Sequence, residues 1–124
     1  MKIAHIAVWT VQLERLKDFY VKYFSAVPNQ KYERPDGSFA SYFLTFPGGG
    51  QLEIMQTPDV APRPYDRDDR VIGLTHLAIG VASRDVVDIM FAKVQKAGCQ
   101  IEKAPRQTGD GYYECAIFDP DGNI

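Results

Sequence analysis

The stretch Lys2-Ile3-Ala4-His5-Ile6-Ala7-Val8-Trp9 recurs in altered form as Thr75-His76-Leu77-Ala78-Ile79-Gly80-Val81. Each copy sets a single histidine among small and β-branched residues that favour a strand. Side chains alternate along a strand, so Ile3, His5, Ala7 and Trp9 point one way while Ala4, Ile6 and Val8 point the other. His76 likewise shares a face with Ala78 and Gly80. A polar ring whose neighbours on its own face are small has room beside it for a ligand.

Working outward, Thr10 is placed to cap a helix over about Gln12 to Phe24, in which Leu13, Leu16, Phe19, Tyr20 and Tyr23 recur at spacings of three and four. Asn29 to Arg34 alternates polar and aromatic residues, Pro35-Asp36-Gly37 is a turn, and Phe39 to Phe46 resumes strand character, which predicts a hairpin. Pro47-Gly48-Gly49-Gly50 is a second tight turn. Gln51 to Met55 then reads as a strand with Leu52 and Ile54 on one face and Glu53 on the other. Thr57 to Arg70 holds three prolines and the charge run Asp66 to Arg70; it reads as a solvated linker.

After the His76 strand, Ser83 caps a helix over about Arg84 to Ala97, and Gly98 ends it. Cys99 to Glu102 is strand-like, Arg106 to Gly111 a loop, Tyr112 to Phe118 a strand, and Asp119-Pro120-Asp121-Gly122 a turn. Both halves therefore spell βαβββ. The offset is 76 − 5 = 71 between the histidines and 118 − 46 = 72 between Phe46 and Phe118. A repeat that fixes order, spacing and residue type together outweighs any single motif. It predicts an α+β fold of two tandem βαβββ modules in one domain, with module one at about 1–56, a linker at about 57–71 and module two at about 72–124.

With 124 residues and 45% hydrophobic content, the chain can bury a core as one domain. A net charge of −2 without a basic block gives no reason to expect a nucleic-acid partner. No apolar run approaches the roughly 20 residues that span a bilayer, and no charged-then-apolar leader opens the chain, so a soluble, cytoplasmic protein is expected. Cys99 and Cys115 are too few for a disulfide framework and read as reduced thiols.

The duplicated βαβββ module, a histidine opening each copy, the Leu52-Glu53-Ile54 strand and the Asp119-Pro120-Asp121-Gly122-Asn123 turn together resemble the vicinal oxygen chelate superfamily. This group includes glyoxalase I, fosfomycin-resistance proteins, extradiol dioxygenases and bleomycin-binding proteins. The resemblance covers essentially the whole chain and implies a cup-like mixed sheet with helices outside and a divalent cation within. Residue by residue, His5 matches the first-strand ligand, Glu53 the carboxylate closing module one, and His76 the histidine opening module two. The family's fourth ligand, a glutamate after the final turn, would fall at position 125 or 126, so the last strand is expected to continue past Ile124.

Two imidazoles and a carboxylate form an N2O set suited to Ni, Zn, Fe, Co or Mn, with positions open to a substrate bearing adjacent oxygens. Glu114 shares a strand face with Tyr112, Ala116 and Phe118, turned from the helix, and is the candidate proton shuttle, orienting group or surrogate ligand. Tyr42, its counterpart at an offset of 72, and Phe46 are candidate pocket walls. Trp9 is a candidate pocket wall or interface residue, and Arg106 a candidate anion contact.

The resemblance implies a metal-dependent, glyoxalase I-like lyase or isomerase acting on a small molecule. The alternatives are a non-catalytic binding protein of the bleomycin-resistance type and an iron-dependent extradiol dioxygenase. A homodimer is implied by the family alone.

Overall fold

The computed structural model describes residues 1–62, 64 and 70–124. The charge run read as a linker lies, apart from Arg70, outside the described residues. The fold is α+β, and the chain divides into two compact units, Met1–Asp66 and Arg67–Ile124.

The first unit runs β1 (His5–Trp9), α1 (Leu13–Phe24), β2 (Val27–Pro28), β3 (Tyr32–Glu33), β4 (Ala40–Thr45) and β5 (Gln51–Gln56). Its sheet is ordered β1-β5-β4-β2, with β3 also paired to β4. β1 runs parallel to β5, as a helical crossover allows, and the other pairings are antiparallel. The β4–β5 turn closes through the Gly49 N–H to Phe46 carbonyl bond at 2.8 Å. Gly49 adopts φ +85°, a conformation costly for residues with a Cβ. The strand read at Asn29 to Arg34 is realised in two pieces, Val27–Pro28 and Tyr32–Glu33, each opposite β4.

Helix α1 forms as its spacing predicts, and Leu13, Leu16, Phe19 and Tyr20 are buried. They face Tyr42 and Leu44 of β4 and Leu52 and Ile54 of β5, and Leu16, Leu44 and Ile54 are fully buried. At roughly 1.5–3 kcal/mol for each large apolar side chain taken from water, this layer is the main source of the unit's stability. Thr10 does not cap the helix. Its hydroxyl accepts the Gln12 N–H at 3.0 Å, so it is spent on a turn before the helix begins at Leu13. Gln12 occupies the N-cap, and its side chain accepts from Arg15 Nη1 at 2.9 Å.

The second unit contains α2 (Arg84–Lys96), β6 (Ile101–Gln107) and β7 (Tyr113–Ile117). Ser83 caps α2 as expected, accepting the Val86 N–H at 3.4 Å, and Gly98 follows the helix at φ +74°. β6 and β7 pair antiparallel with register irregularities between Ile101 and Lys103 and between Lys103 and Arg106. β6 extends through Gln107, so Arg106 sits in a strand and not in the expected loop. Pro105, which lacks an N–H, is accommodated where the ladder is irregular.

The strand expected around His76 is not formed among the described residues. A strand is defined by its ladder, and this segment is tied to Ile124 by a bond from the Leu77 N–H to the Ile124 carbonyl at 2.9 Å. Leu77 is the counterpart of Ile6 at an offset of 71, and Ile124 that of Leu52 at 72. Ile6 and Leu52 are themselves register partners between β1 and β5, so the bond repeats one rung of the first unit's parallel ladder.

Candidate functional site

Register partners in a sheet share a face. Ile6 and Val8 of β1 lie beside Leu52 and Ile54 of β5, toward α1, while Ala7 lies beside Glu53 and Trp9 beside Met55 on the opposite face. His5 is on that second face. Glu53 is directly opposite Ala7, whose methyl group leaves its carboxylate free to lean along the strand toward His5. His5 Nε2 stands 3.6 Å from Glu53 Oε2, with side-chain exposures of 42% and 17%. Phe43, the β4 partner of Glu53, meets the imidazole edge-on at 5.3 Å and 89°.

A 3.6 Å separation is longer than a hydrogen bond. Two donors held about 2.1 Å from a tetrahedral ion stand about 3.4 Å apart, so the pair fits two adjacent positions on one metal. Within either unit taken alone, no three His, Cys, Asp or Glu side chains among the described residues cluster as a metal site. The first unit thus offers a two-donor half-site.

In the second unit, Thr75 Oγ1 lies 2.9 Å from His76 Nδ1, which leaves Nε2 as the ring's other nitrogen. On β7, the Tyr113 hydroxyl donates to Asp88 Oδ1 at 2.8 Å, and the Arg84 guanidinium lies 5.2 Å from the Tyr113 ring centre. Tyr113 is therefore directed at α2, and its neighbour Glu114 is turned away from the helix, as expected. Glu114 Oε1 accepts from Arg106 Nη2 at 3.0 Å across the strand pair. The other terminal nitrogen of Arg106, Nη1, is buried without a hydrogen-bond partner among the described residues. Cys99 and Cys115 are free, and burial pushes the Cys115 thiol up.

Tyr42 and Phe46 are not on the His5 face. Tyr42 packs under α1, where its hydroxyl donates to Glu14 at 3.0 Å, and Phe46 meets Tyr20 of α1 at 6.1 Å. Lys17 donates to the same Glu14 carboxylate at 2.6 Å. That bond, then the one from Tyr42, holds Glu14 below the ordinary carboxylate range against a partial burial cost. Burial, then the Glu14 acceptor, pushes the Tyr42 phenol up. The strand equivalence explains the misplacement. At an offset of 71, Tyr42 matches Tyr113, and each donates its hydroxyl to a helix carboxylate. Glu114 then matches Phe43, the aromatic residue that does reach His5. Alternation along β4, with Ser41, Phe43 and Thr45 opposing Tyr42 and Leu44, carried this signal. Trp9 lies on the His5 face, is 52% exposed, and meets Phe39 at 6.3 Å.

Comparison with known proteins places this geometry in a family. The family model "Glyoxalase/Bleomycin resistance protein/Dioxygenase superfamily" matches residues 2–124. A search of curated proteins gives no match. Among solved structures, a glyoxalase family protein from Enterococcus faecalis is 26% identical with a TM-score of 0.77, covering 98% of this chain and 91% of its own. The trypanothione-dependent glyoxalase I of Leishmania major is 21% identical with a TM-score of 0.75, covering 99% and 82%. A variant of the fosfomycin resistance protein FosX from Listeria monocytogenes, complexed with Mn(II) and 1S,2S-dihydroxypropylphosphonic acid, is 19% identical with a TM-score of 0.70, covering 98% and 86%. No helix among the described residues is long and apolar enough to cross a membrane. The chain belongs to the glyoxalase/bleomycin resistance protein/dioxygenase superfamily, whose vicinal oxygen chelate members include glyoxalase I and FosX.

Proposed function

We propose that this protein is a metal-dependent, glyoxalase-like lyase or isomerase acting on a small molecule with two adjacent oxygens. The observation that carries this reading is the His5–Glu53 pair, whose nitrogen and oxygen stand 3.6 Å apart beside the small Ala7 on the sheet face opposite α1. His5 and Glu53 would hold a divalent cation of the Ni, Zn, Fe, Co or Mn group, with His76 as a third ligand. The metal, when bound, supplies Lewis acidity toward the paired oxygens of a substrate. The chain's own residues fix the geometry. Ala7 keeps the space beside the pair open, Phe43 holds the imidazole ring in place, and Thr75 occupies His76 Nδ1, so that Nε2 would be the nitrogen offered to a metal. Glu114, turned from its helix, is the candidate proton carrier. A cytoplasmic homodimer completes the reading.

Elemental analysis of the protein, purified without a metal affinity step, tests it. A stoichiometric transition metal in the parent and none in a His5→Ala, His76→Ala double variant supports the proposal. A parent that neither carries such a metal nor takes one up on titration overturns it, and favours a binding protein without chemistry.

A further inference from the structure

The His5 face of the first unit's sheet does not end at the donor pair. Trp9, Met55, Ser41 and Tyr32 form one cross-sheet row, since Trp9 pairs with Met55, Met55 with Ser41, and Ser41 with Tyr32. Ser41 is buried at the centre of this row, whereas Trp9 and Tyr32 at its flanks are 52% and 56% exposed. Phe39, two residues before Ser41 and so on the same face, makes ring contacts with both, at 6.3 Å to Trp9 and 6.1 Å to Tyr32. The Arg34 guanidinium lies 5.7 Å from the Phe39 ring centre. Beside Trp9 opens a cleft of about 390 Å³, lined by Thr57, Asp59, Val60 and Ala61.

Three aromatic rings joined through Phe39, with Trp9 and Tyr32 about half exposed, cost free energy unless something covers them. Trp9 stands on the same face as His5 and Glu53, four residues further along β1, or about 13 Å at a strand's rise per residue, with Phe39 and Tyr32 beyond it across the sheet. Between the two stations lies Ala7, which is too small to obstruct an extended molecule. The Arg34 guanidinium already supplies Phe39 with a planar, cationic neighbour, which leaves Trp9 and Tyr32 as the exposed rings of the cluster.

We infer that Trp9, Phe39 and Tyr32 form a subsite for an aromatic ring carried by the substrate whose paired oxygens meet His5 and Glu53. The inference rests on the proposed chelating role of that pair and narrows its substrate class to aryl-bearing compounds, as opposed to hydrophilic peptide conjugates. The rings supply apolar area and edge or offset stacking, and selectivity is the difference between binding with and without the aryl group.

Trp9 is the single tryptophan, so its fluorescence reports directly on this wall. The probes are 8-phenyloctanohydroxamate and octanohydroxamate, which present the same two adjacent oxygens on the same chain, with and without a ring at roughly the distance that separates His5 from Trp9. 8-Phenyloctanohydroxamate is expected to bind at least about tenfold more tightly and to quench Trp9. Phe39→Ala should bring the ratio of the two affinities close to one, and Tyr32→Ala should narrow it if the first variant does not fold. Equal affinities in the parent overturn the aromatic subsite and leave the chelating role standing. If neither hydroxamate binds, the chelating role fails and benzamide, a ring without paired oxygens, decides the subsite alone. Saturable quenching by benzamide that Phe39→Ala abolishes supports the subsite, and absence of quenching overturns it.

Discussion

His5 Nε2 and Glu53 Oε2 stand 3.6 Å apart because β1 and β5 run parallel in a register that sets Glu53 opposite Ala7, one step along the face from His5. The same ladder that turns Ile6 and Val8 toward α1 and buries Leu52 and Ile54 therefore delivers a nitrogen and an oxygen to the other side of the sheet. Any slip of one residue would invert both faces at once, so core burial enforces the spacing of the pair.

If this pair holds a metal, the metal must also stabilise the folded chain. Free metal at a hundred times its dissociation constant contributes about 2.7 kcal/mol, which raises a melting temperature by several degrees in a domain of this size. Thermal melts with and without added Mn(II), Zn(II) or Ni(II) are expected to show this rise in the parent. Glu53→Ala and His5→Ala should each remove most of it. An equal rise in the parent and both variants would place the metal elsewhere.

The Tyr42 hydroxyl serves the fold, donating to a Glu14 carboxylate that also receives Lys17. Tyr42→Phe should cost about 1 kcal/mol in urea unfolding, the scale of one hydrogen bond, without altering metal content. Glu14→Gln should cost less than about 1 kcal/mol, because the Glu14 side chain is 53% exposed and its charge interactions are screened. The bond from Lys17 and then that from Tyr42 lower the folded-state ionisation of Glu14 below the ordinary value of 4.5. Its contribution is therefore present above that value and fades as pH falls through the lower folded one. Parent and Glu14→Gln stabilities should differ at pH 7 and converge on acidification. A gap that persists unchanged below the carboxylate range would contradict the assignment.

Alternation made most of the first unit legible in the sequence. His5, Ala7 and Trp9 share a face as read, Glu53 opposes Leu52 and Ile54 as read, and the three-and-four spacing located α1. What could not be read was the local offset of the repeat. Matching Tyr42 to Glu114 at 72 put Tyr42 on the ligand face, whereas the hydroxyl-to-helix bonds of Tyr42 and Tyr113 show that the two tyrosines correspond at 71. One residue of slip reverses a side chain in a strand, and here the offset passes from 71 at Tyr113 to 72 at Phe118 without any mark in local composition. The His76 strand had the right residues, but strand formation depends on a partner ladder that lies far off in sequence.

Leu16 of α1 and Leu44 of β4 are both fully buried in the layer between helix and sheet. Leu16→Ala or Leu44→Ala should lower stability by about 2–5 kcal/mol in urea unfolding, combining lost burial with a cavity that close packing cannot refill. Ile89 of α2 is 68% exposed, and Ile89→Ala should stay within about 0.5 kcal/mol of the parent. A costly Ile89→Ala would show that this exposed position is covered in solution.

Arg106 and Glu114 are the remaining pair, joined at 3.0 Å directly across β6 and β7 with side-chain exposures of 40% and 48%. Such an exposed cross-strand pair is expected to contribute only about 0.2–1 kcal/mol, so stability alone gives little reason for a carboxylate to be turned away from α2 toward an arginine. A double-mutant cycle of Arg106→Gln and Glu114→Gln should return a coupling in that range at low salt, falling in 1 M salt as screening shortens its reach. Metal content should be as in the parent, because neither residue belongs to the His5–Glu53 pair. If Glu114 carries a proton in the reaction, Glu114→Gln should lower kcat about 100-fold or more with little change in KM, while Arg106→Gln should act more weakly. Loss of metal from Glu114→Gln would instead assign that carboxylate to the metal as a ligand. A kcat equal to the parent's would confine the pair to holding the β6–β7 hairpin together.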